Sequence, residues 1–307
     1  MIYYIVGRAV RGLVVLLLVS LVVFGISLFS GDPITLLIPV ETSPEQLEEL
    51  RNAYGLNDPI PARMGRFLEG LFRGDLGYSF RYQQPAFSVV AERLGATIEL
   101  AFAAMLVTLL VALPAGVLSA VKRDSSFDTV VMAGSLLGHS LPSFFVGLLL
   151  IYLFSVKLHT FPTSGRGTLA HIVMPALTLG LFYAGRAARL LRSSMLDVLH
   201  QEYMRTARAK GLAETIVIGH HALRNASLPV LTILGLELGG LLGGAVVTET
   251  IFAWPGIGKL AVEAVIARDF PIVQAVVLLT ATAFVVVNLI VDLLYGLLDP
   301  RVRLTRT

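Results

Sequence analysis

The sequence predicts an all-α membrane protein with six transmembrane helices, because charged residues are scarce and uncharged runs are long. Of 307 residues, 55% are hydrophobic and 15% are charged, against roughly 25% charged in a soluble domain. The mean hydropathy is +0.78. A helix crosses a hydrocarbon layer with about 20 apolar residues. Four runs without an acidic or basic residue meet that length: 12–30, 101–121, 129–156 and 272–291.

Two weaker runs complete the six spans. Residues 168–185 form a short run with His171 and Pro175, and residues 226–248 carry Glu237 at their middle. With the N-terminus inside, segments 1–11, 122–128, 186–225 and 299–307 hold 14 Lys and Arg in 67 residues. The outside segments 31–96, 157–171 and 249–271 hold 10 in 104 residues. The positive-inside rule therefore predicts that both termini are cytoplasmic.

This topology divides the chain into four parts. Residues 1–30 hold an N-terminal segment and an uncleaved first span, because the apolar run is too long for a signal peptide and no cleavage site follows it. Residues 31–96 form a large extracytoplasmic loop, 97–298 a core of five spans with a cytoplasmic loop at 192–225, and 299–307 a cytoplasmic tail. The absence of cysteine excludes disulfides and thiolate metal sites.

The extracytoplasmic loop is predicted to contain small helices lying on the membrane face. Ser43 can cap a helix that has Pro44 at its first position and Gln46 completing a capping box, and Gly55 suits its end. A second short helix is predicted over 63–73. These helices are interpreted either as a lid or packing element or as a ligand contact.

The cytoplasmic loop 186–225 predicts two amphipathic helices around a glycine turn. The first covers 192–210, Gly211 permits the turn, and the second covers 213–225 and leads to Pro229 near the start of the fifth span. A helix of this kind either docks in the groove of a soluble partner or lies on lipid headgroups. The apolar stripe of the first helix comprises Met195, Leu196, Leu199, Tyr203 and Met204.

Motifs in this loop resemble the permease loop of ABC importers. They are EYMRTARAKG at 202–211, HALRN at 221–225 and Leu-Pro at 228–229. The general importer signature begins with E-A-A, whereas T-A-R-A-K-G is typical of the dipeptide, oligopeptide and nickel branch. Further motifs resemble the B-type subunit of that branch: Gly-Asp-Pro at 31–33, RGDLG at 73–77, SLPSF at 140–144, AWPGIG at 253–258 and LDPR at 298–301.

The resemblance implies a permease in the bacterial inner membrane that has no ATP site, catalytic residue or cofactor of its own. Its expected partners are a second homologous permease, forming a heterodimer, two ATPase subunits or domains that bind ATP and Mg²⁺, and an extracytoplasmic solute-binding protein. Expected solutes are dipeptides and oligopeptides, with nickel chelates or haem as related possibilities. The residues implied to dock on the ATPase are Tyr203, Thr206, Ala207, Arg208, Ala209, Lys210 and Gly211.

Several residues within the spans are candidates for lining the solute pathway. A carboxylate at mid-membrane is costly unless it is protonated, paired or wetted, so Glu237 either lines the pathway or is a protonated or hydrogen-bonded structural residue. His139, Asn288 and Asp292 are weaker candidates. Small-xxx-small spacings let helices approach closely, within this chain or against the second permease; they involve Gly235, Gly239, Gly240, Gly243 and Gly244.

The sequence gives little evidence for a nucleotide, metal or nucleic-acid site. Residues 256–260 (GIGKL) lack the spacing and the hydroxyl of a phosphate loop, and the adjacent His220 and His221 cannot share a metal as i, i+4 histidines do. No basic stripe with interleaved aromatics indicates nucleic acid. The alternative function is an ion-coupled secondary transporter or channel, which would need coupling-ion ligands and often shows inverted repeats. A membrane-embedded enzyme would need a cluster of polar catalytic groups.

Overall fold

The computed structural model describes residues 2–29, 44–53, 57–79 and 81–298, and these are predominantly helical. Two short antiparallel strands, β1 (Tyr78–Ser79) and β2 (Gln84–Pro85), precede the long helix α4. Two π-helical stretches, Ile151–Lys157 and Val217–Ala222, continue the short helices Ser143–Leu150 and Glu214–Ile216. The helices are α1 (Ile2–Phe29), α2 (Pro44–Ala53), α3 (Ile60–Arg73), α4 (Ala86–Val121), α5 (Ser126–Ser140), α6 (Ser143–Leu150), α7 (Leu169–Leu199), α8 (Glu202–Ala209), α9 (Glu214–Ile216), α10 (Leu223–Gly244), α11 (Val246–Ile251), α12 (Ile257–Ile266) and α13 (Phe270–Leu298).

Four described helices, α1, α4, α7 and α13, are long and apolar enough to cross a membrane. A fifth span exists if α5 and α6 with its π-helical stretch are counted together, although they are bent by 103° at their junction. The predicted span over 129–156 is therefore not one continuous helix. Leu141 precedes Pro142, and the proline ring disfavours helical backbone at the preceding residue, which adopts ψ 132°. The predicted fifth span corresponds to α10, which is not among these candidates.

Three other predicted boundaries are corrected. Helix α4 begins at Ala86, so the last part of the predicted loop 31–96 is helical. The predicted amphipathic helix 192–210 is divided, because α7 continues to Leu199 and α8 begins only at Glu202. Residues 214–244 are helical throughout, so Pro229 lies inside α10 rather than near its start.

Both short helices predicted within residues 31–96 are present where the structure describes this segment. Helix α2 begins at Pro44, while the predicted cap Ser43 and the terminal Gly55 lie outside the described residues. Helix α3 begins three residues before the predicted 63 and ends at Gly74, whose φ of +76° is left-handed. The rings of Phe67 in α3 and Phe24 in α1 lie 5.4 Å apart. This contact supports a packing role for α3.

Helices α4 and α7 form the most extensive helix pair in the described structure. Between them, Thr108 Oγ1 donates hydrogen bonds to the carbonyl oxygens of Ala104 and Gly180, at 2.9 and 3.1 Å. Small buried residues such as Ala112, Ala184 and Ala188 let the two helices approach closely. The opposite face of α4 exposes large apolar side chains at i, i+4 spacing, as expected for contact with lipid; they are Phe102, Leu106 and Leu110.

A buried polar cluster joins α4, α11 and α12 at one end of the bundle. Thr97 Oγ1 donates to Glu249 Oε1 at 2.7 Å and accepts the Ile257 amide at 2.9 Å. Glu249 Oε2 accepts the Lys259 amide at 3.0 Å. Because the first amides of a helix have no partner within it, these two side chains complete the N-terminus of α12. Trp254 adds a further buried hydrogen bond next to the cluster, from its Nε1 to the Ala96 carbonyl oxygen at 2.8 Å.

We expect Thr97→Val to lower the free energy of unfolding by about 1–3 kcal/mol, because it leaves the Ile257 amide and one Glu249 oxygen buried without their partner. Denaturant or thermal unfolding of the purified protein in detergent measures this change. Thr160→Val is the matched control, since Thr160 is exposed and bonds only to the Phe154 carbonyl oxygen. Equal stability of the two variants would contradict a stabilising role for Thr97.

Candidate functional site

The segment between α7 and α10 forms a hairpin, defined here as residues 202–216, that presents one face to the core and one to the surroundings. Met204 (0% exposed) and Ala207 (7%) belong to a core cluster that includes Met195 of α7 and Val217 of the following π-helical stretch. The predicted apolar stripe is confirmed for Met195 and Met204. Tyr203 is instead exposed, with its hydroxyl accepting a hydrogen bond from Asn225 Nδ2 at 2.9 Å.

The turn of the hairpin is closed by glycine and by an ion pair. Gly211 has φ +73°, a left-handed conformation that other residues adopt only with strain, and its amide donates to the Arg208 carbonyl oxygen at 2.9 Å. Arg208 Nη2 donates to Glu214 Oε1 at 2.9 Å, and its Nε donates to Oε2 at 3.2 Å. These hydrogen bonds lower the pKa of the Glu214 carboxyl below its ordinary value.

The outer face of the hairpin is basic and accessible. Six of the seven residues proposed for docking are exposed, and Arg205 adds a further exposed cation. Ala207 is the exception, because it packs in the core beside Met204. Ala207 therefore anchors the hairpin to the core and does not contribute to its outer face. The exposed six are Tyr203, Thr206, Arg208, Ala209, Lys210 and Gly211.

Near the end of α7 that leads to the hairpin, a buried carboxylate ties three helices together. Asp128 of α5 accepts hydrogen bonds from Arg192 Nε at 2.6 Å and Nη2 at 2.5 Å, and from Ser119 Oγ of α4 at 2.5 Å. The side chains of Asp128 and Arg192 are 6% and 22% exposed. Asp128 was not predicted from the sequence. Its signal there is an acidic residue three positions after Ser125, whose hydroxyl accepts the Asp128 amide and caps α5.

The candidate pathway residues that the structure describes have different immediate surroundings. Glu237 is 5% exposed, and neither carboxylate oxygen has a hydrogen-bond partner among the described residues. His139 lies in the last turn of α5 with its ring 4.7 Å from that of Phe182. Asn288 donates to the Phe284 carbonyl oxygen of its own helix at 3.0 Å. The side chain of Asp292 lies outside the described part of the structure.

The glycines of α10 pack against α13 within this chain. A Cβ at Gly235 would collide with Val291, and one at Gly239 would lie 2.9 Å from Phe284 Cδ2. Gly240 is exposed and has open space where a Cβ would stand. The surroundings of Gly243 and Gly244 lie outside the described part of the structure. For Gly235 and Gly239, the structure therefore favours intramolecular packing.

The weak phosphate-loop motif has a different role in the structure. Glu249 carboxylate oxygens lie where a Cβ on Gly256 would stand, and Glu249 accepts the amide of Lys259 at the start of α12. A phosphate would bind the helix amides at that same position, and the carboxylate of Glu249 already occupies it.

The His220 and His221 rings contact each other edge to face, with centroids 5.3 Å apart.

Comparison with known families shows two matches that together span most of the chain. Residues 112–304 match the family described as "Binding-protein-dependent transport system inner membrane component". Residues 1–101 match the family of the corresponding N-terminal part of such membrane components.

Individual proteins are similar over nearly their full length. A putative peptide transport system permease protein of Brucella abortus (strain 2308) is 44% identical over 305 residues, covering 96% of this chain and 97% of that protein. The glutathione transport system permease protein GsiC of Escherichia coli (strain K12) is 38% identical over 304 residues, covering 99% of each. A chain of the MetNI methionine ABC transporter, solved in an inward facing conformation, shares the fold with a TM-score of 0.58 and 17% identity, over 69% of this chain and 96% of that chain.

We expect Asp128→Asn to destabilise the protein by about 3 kcal/mol, the lower end for a broken buried pair, because Arg192 retains partial exposure. Unfolding of the purified protein in detergent measures the loss. Asp197→Asn is the control, since Asp197 is an exposed acid on the same helix as Arg192. A variant as stable as this control would show that the ion pair contributes no net stability.

We expect the order of the hairpin to depend on pH through Glu214. A carboxyl with a lowered pKa stabilises the folded state above its unfolded pKa, and this contribution is lost as the pH falls through the folded value, which here lies below 4.5. Amide hydrogen exchange of residues 208–216, corrected for intrinsic rates, should therefore rise on acidification through that range. Glu214→Gln should exchange faster at neutral pH and lack the acid step; an unchanged pH profile in this variant would refute the assignment.

Proposed function

The chain belongs to the family of binding-protein-dependent transport system inner membrane components, and from this premise we propose that its hairpin 202–216 couples it to an ATPase. The protein is a multi-pass permease of a bacterial inner-membrane ABC importer. Family membership favours this function over an ion-coupled secondary transporter. The chain would form a heterodimer with a second homologous permease, two ATPase subunits or domains would bind ATP and Mg²⁺, and an extracytoplasmic binding protein would deliver the solute.

The solute class we propose is peptides, including glutathione-like tripeptides. It is supported by the names of the relatives, a peptide transport permease at 44% identity and a glutathione transport permease at 38%. The full topology proposed has six spans with both termini in the cytoplasm, α10 being one of the six. This orientation places the hairpin in the cytoplasm and the helices α2, α3 and α12 outside.

The observation that carries the coupling role is the division of the hairpin into an anchored face and an exposed basic face. Met204 and Ala207 pack against α7 and the segment leading into α10, so the hairpin and these helices move together. The exposed cations Arg205 and Lys210 remain available to an acidic or polar groove on a partner, while Arg208 pairs with Glu214. A displacement imposed on the hairpin is then transmitted along α7, and the Asp128–Arg192 pair carries it to α4 and α5.

Substitutions on the outer side of the hairpin test this proposal. Gly211→Pro forces φ to negative values, and Arg208→Glu repels Glu214. We expect each to lower solute-stimulated ATP hydrolysis of the assembled complex about tenfold, the effect of ~1.4 kcal/mol of lost docking energy. Reconstituted complex with binding protein and solute provides the measurement.

Arg73→Glu is the matched control for the charge reversal, because Arg73 is also exposed and also pairs with one carboxylate, that of Glu69 at 2.6 Å, but lies in α3. It should leave stimulated hydrolysis near the wild-type value. Full coupling in both hairpin variants, or peptide uptake into liposomes that contain the permeases without ATPases, would contradict the proposed function.

A further inference from the structure

Arg186 of α7 and Leu236 of α10, the residue before Glu237, line the same groove. Arg186 and Glu237 carry opposite charges, and each lacks a hydrogen-bond partner among the described residues. Glu237 is 5% exposed, with both carboxylate oxygens buried. Arg186 is exposed, forms no hydrogen bond or ion pair with any described residue, and lies within electrostatic range of the Glu237 carboxylate. Tyr183, one helical turn before Arg186, also lies within range of Glu237.

The Arg186 side chain projects into an open groove between α7 and α10. Polar groups from Asn225 and Thr232 alternate along this groove with apolar side chains. Its lining residues are Arg186, Asn225, Leu228, Pro229, Thr232, Ile233 and Leu236. Glu237 follows Leu236 in the chain and is not among the residues that line the groove.

Placement in a membrane-crossing helix restricts what this groove can face. Arg186 belongs to the candidate span Leu169–Leu199. An exposed guanidinium in such a helix is costly against lipid tails, and ionisable residues there face water-filled cavities or other protein. A buried carboxylate that has no donor is costly as well, unless a nearby cation balances it. An aqueous groove in which Arg186 binds an anionic ligand accounts for the exposed guanidinium. The charge of the same guanidinium then balances the buried carboxylate of Glu237.

The chemistry of the guanidinium indicates the ligand. Its planar donors match a carboxylate with two parallel hydrogen bonds. We propose that Arg186 binds the main-chain carboxylate of a peptide passing through this groove, and that Glu237 balances the guanidinium charge when no anion is present. The inference rests on the proposed permease function and names a solute contact within it. When the peptide leaves, Glu237 again balances the charge of Arg186, so the arginine binds the peptide without trapping it.

A cysteine probe tests whether the groove is aqueous and positively charged. The chain has no cysteine, so Thr232→Cys introduces a single thiol beside Arg186. In the assembled complex, its labelling is followed by mass spectrometry with anionic sulfonatoethyl and cationic trimethylammonium-ethyl methanethiosulfonate. We expect the anionic reagent to be favoured by roughly tenfold, as for one unscreened charge in a cleft, relative to the same ratio at the exposed Thr160→Cys. Adding Arg186→Gln should abolish that preference.

Protection by peptide tests the ligand. Ala-Ala at high millimolar concentration should slow labelling of Thr232→Cys, whereas Ala-Ala amide should not, and Arg186→Gln should remove the difference. Equal effects of acid and amide, an anion preference that survives Arg186→Gln, or a thiol that no reagent reaches because another subunit covers it, would each overturn the proposal.

Uptake separates this inference from the proposed function. At saturating binding protein, Arg186→Gln should lower the maximal rate of peptide uptake severalfold, with Arg186→Lys restoring part of it because the cation returns. Arg123→Gln, which removes an exposed arginine that neither lines the groove nor lies in the loop 186–225, should match the wild type. If both glutamine variants transport normally while the hairpin variants remain uncoupled, the groove inference fails and the permease function stands.

Discussion

Inside a hydrocarbon layer no water is available, so every helix end and every charge must be satisfied by the protein itself. Helix α4 shows how the structure meets this constraint at two levels. Near one end, Thr97 joins Glu249 and the N-terminus of α12, and near the other, Ser119 joins Asp128 and Arg192. Ser119 follows Thr97 by 22 positions, so the two residues lie about 33 Å apart along the helix at 1.5 Å per residue, close to the thickness of the hydrocarbon core. The separation of the two polar clusters thus matches the thickness of a hydrocarbon layer, and small residues pack between them.

The same constraint explains how a hairpin can transmit force to a membrane bundle. Its apolar face is buried with α7 and the helical stretch leading into α10, while the Asp128–Arg192 pair fastens α7 to α5 and, through Ser119, to α4. A partner that moves the hairpin therefore acts on several helices at once. Glu237 of α10 has two buried carboxylate oxygens without a hydrogen-bond partner among the described residues, and Arg186 of α7 is an exposed cation without one. Unsatisfied groups in such surroundings indicate a site whose partner arrives during function.

Sequence reasoning located the elements that depend on local chemistry. Long apolar runs predicted the helices that became α1, α4 and α13, and a weaker run predicted part of α7. Local patterns also predicted Pro44 at the start of a helix and Gly211 at a turn, where its φ is +73°. They predicted the apolar stripe that contains Met195 and Met204 as well. The errors occurred where a helix continues through polar residues or stops within an apolar run. Helix α7 extends through Arg186, Arg189 and Arg192 because their side chains find solvent or protein partners, and Leu141–Pro142 breaks an uncharged run that composition alone presents as continuous.

By itself, the sequence determined that this is a helical membrane protein, which of its loops is basic, and which importer family its motifs resemble, because hydrophobicity and short motifs are properties of contiguous residues. Only the tertiary structure decided that Ala207 lies in the core, that Gly235 and Gly239 pack on α13, and that Glu249 completes the N-terminus of α12. It alone brought Arg186 near Glu237, 51 positions away in the chain. Such relations depend on how helices distant in sequence are arranged, and the energetic balance of a buried charge depends on the neighbours that this arrangement supplies.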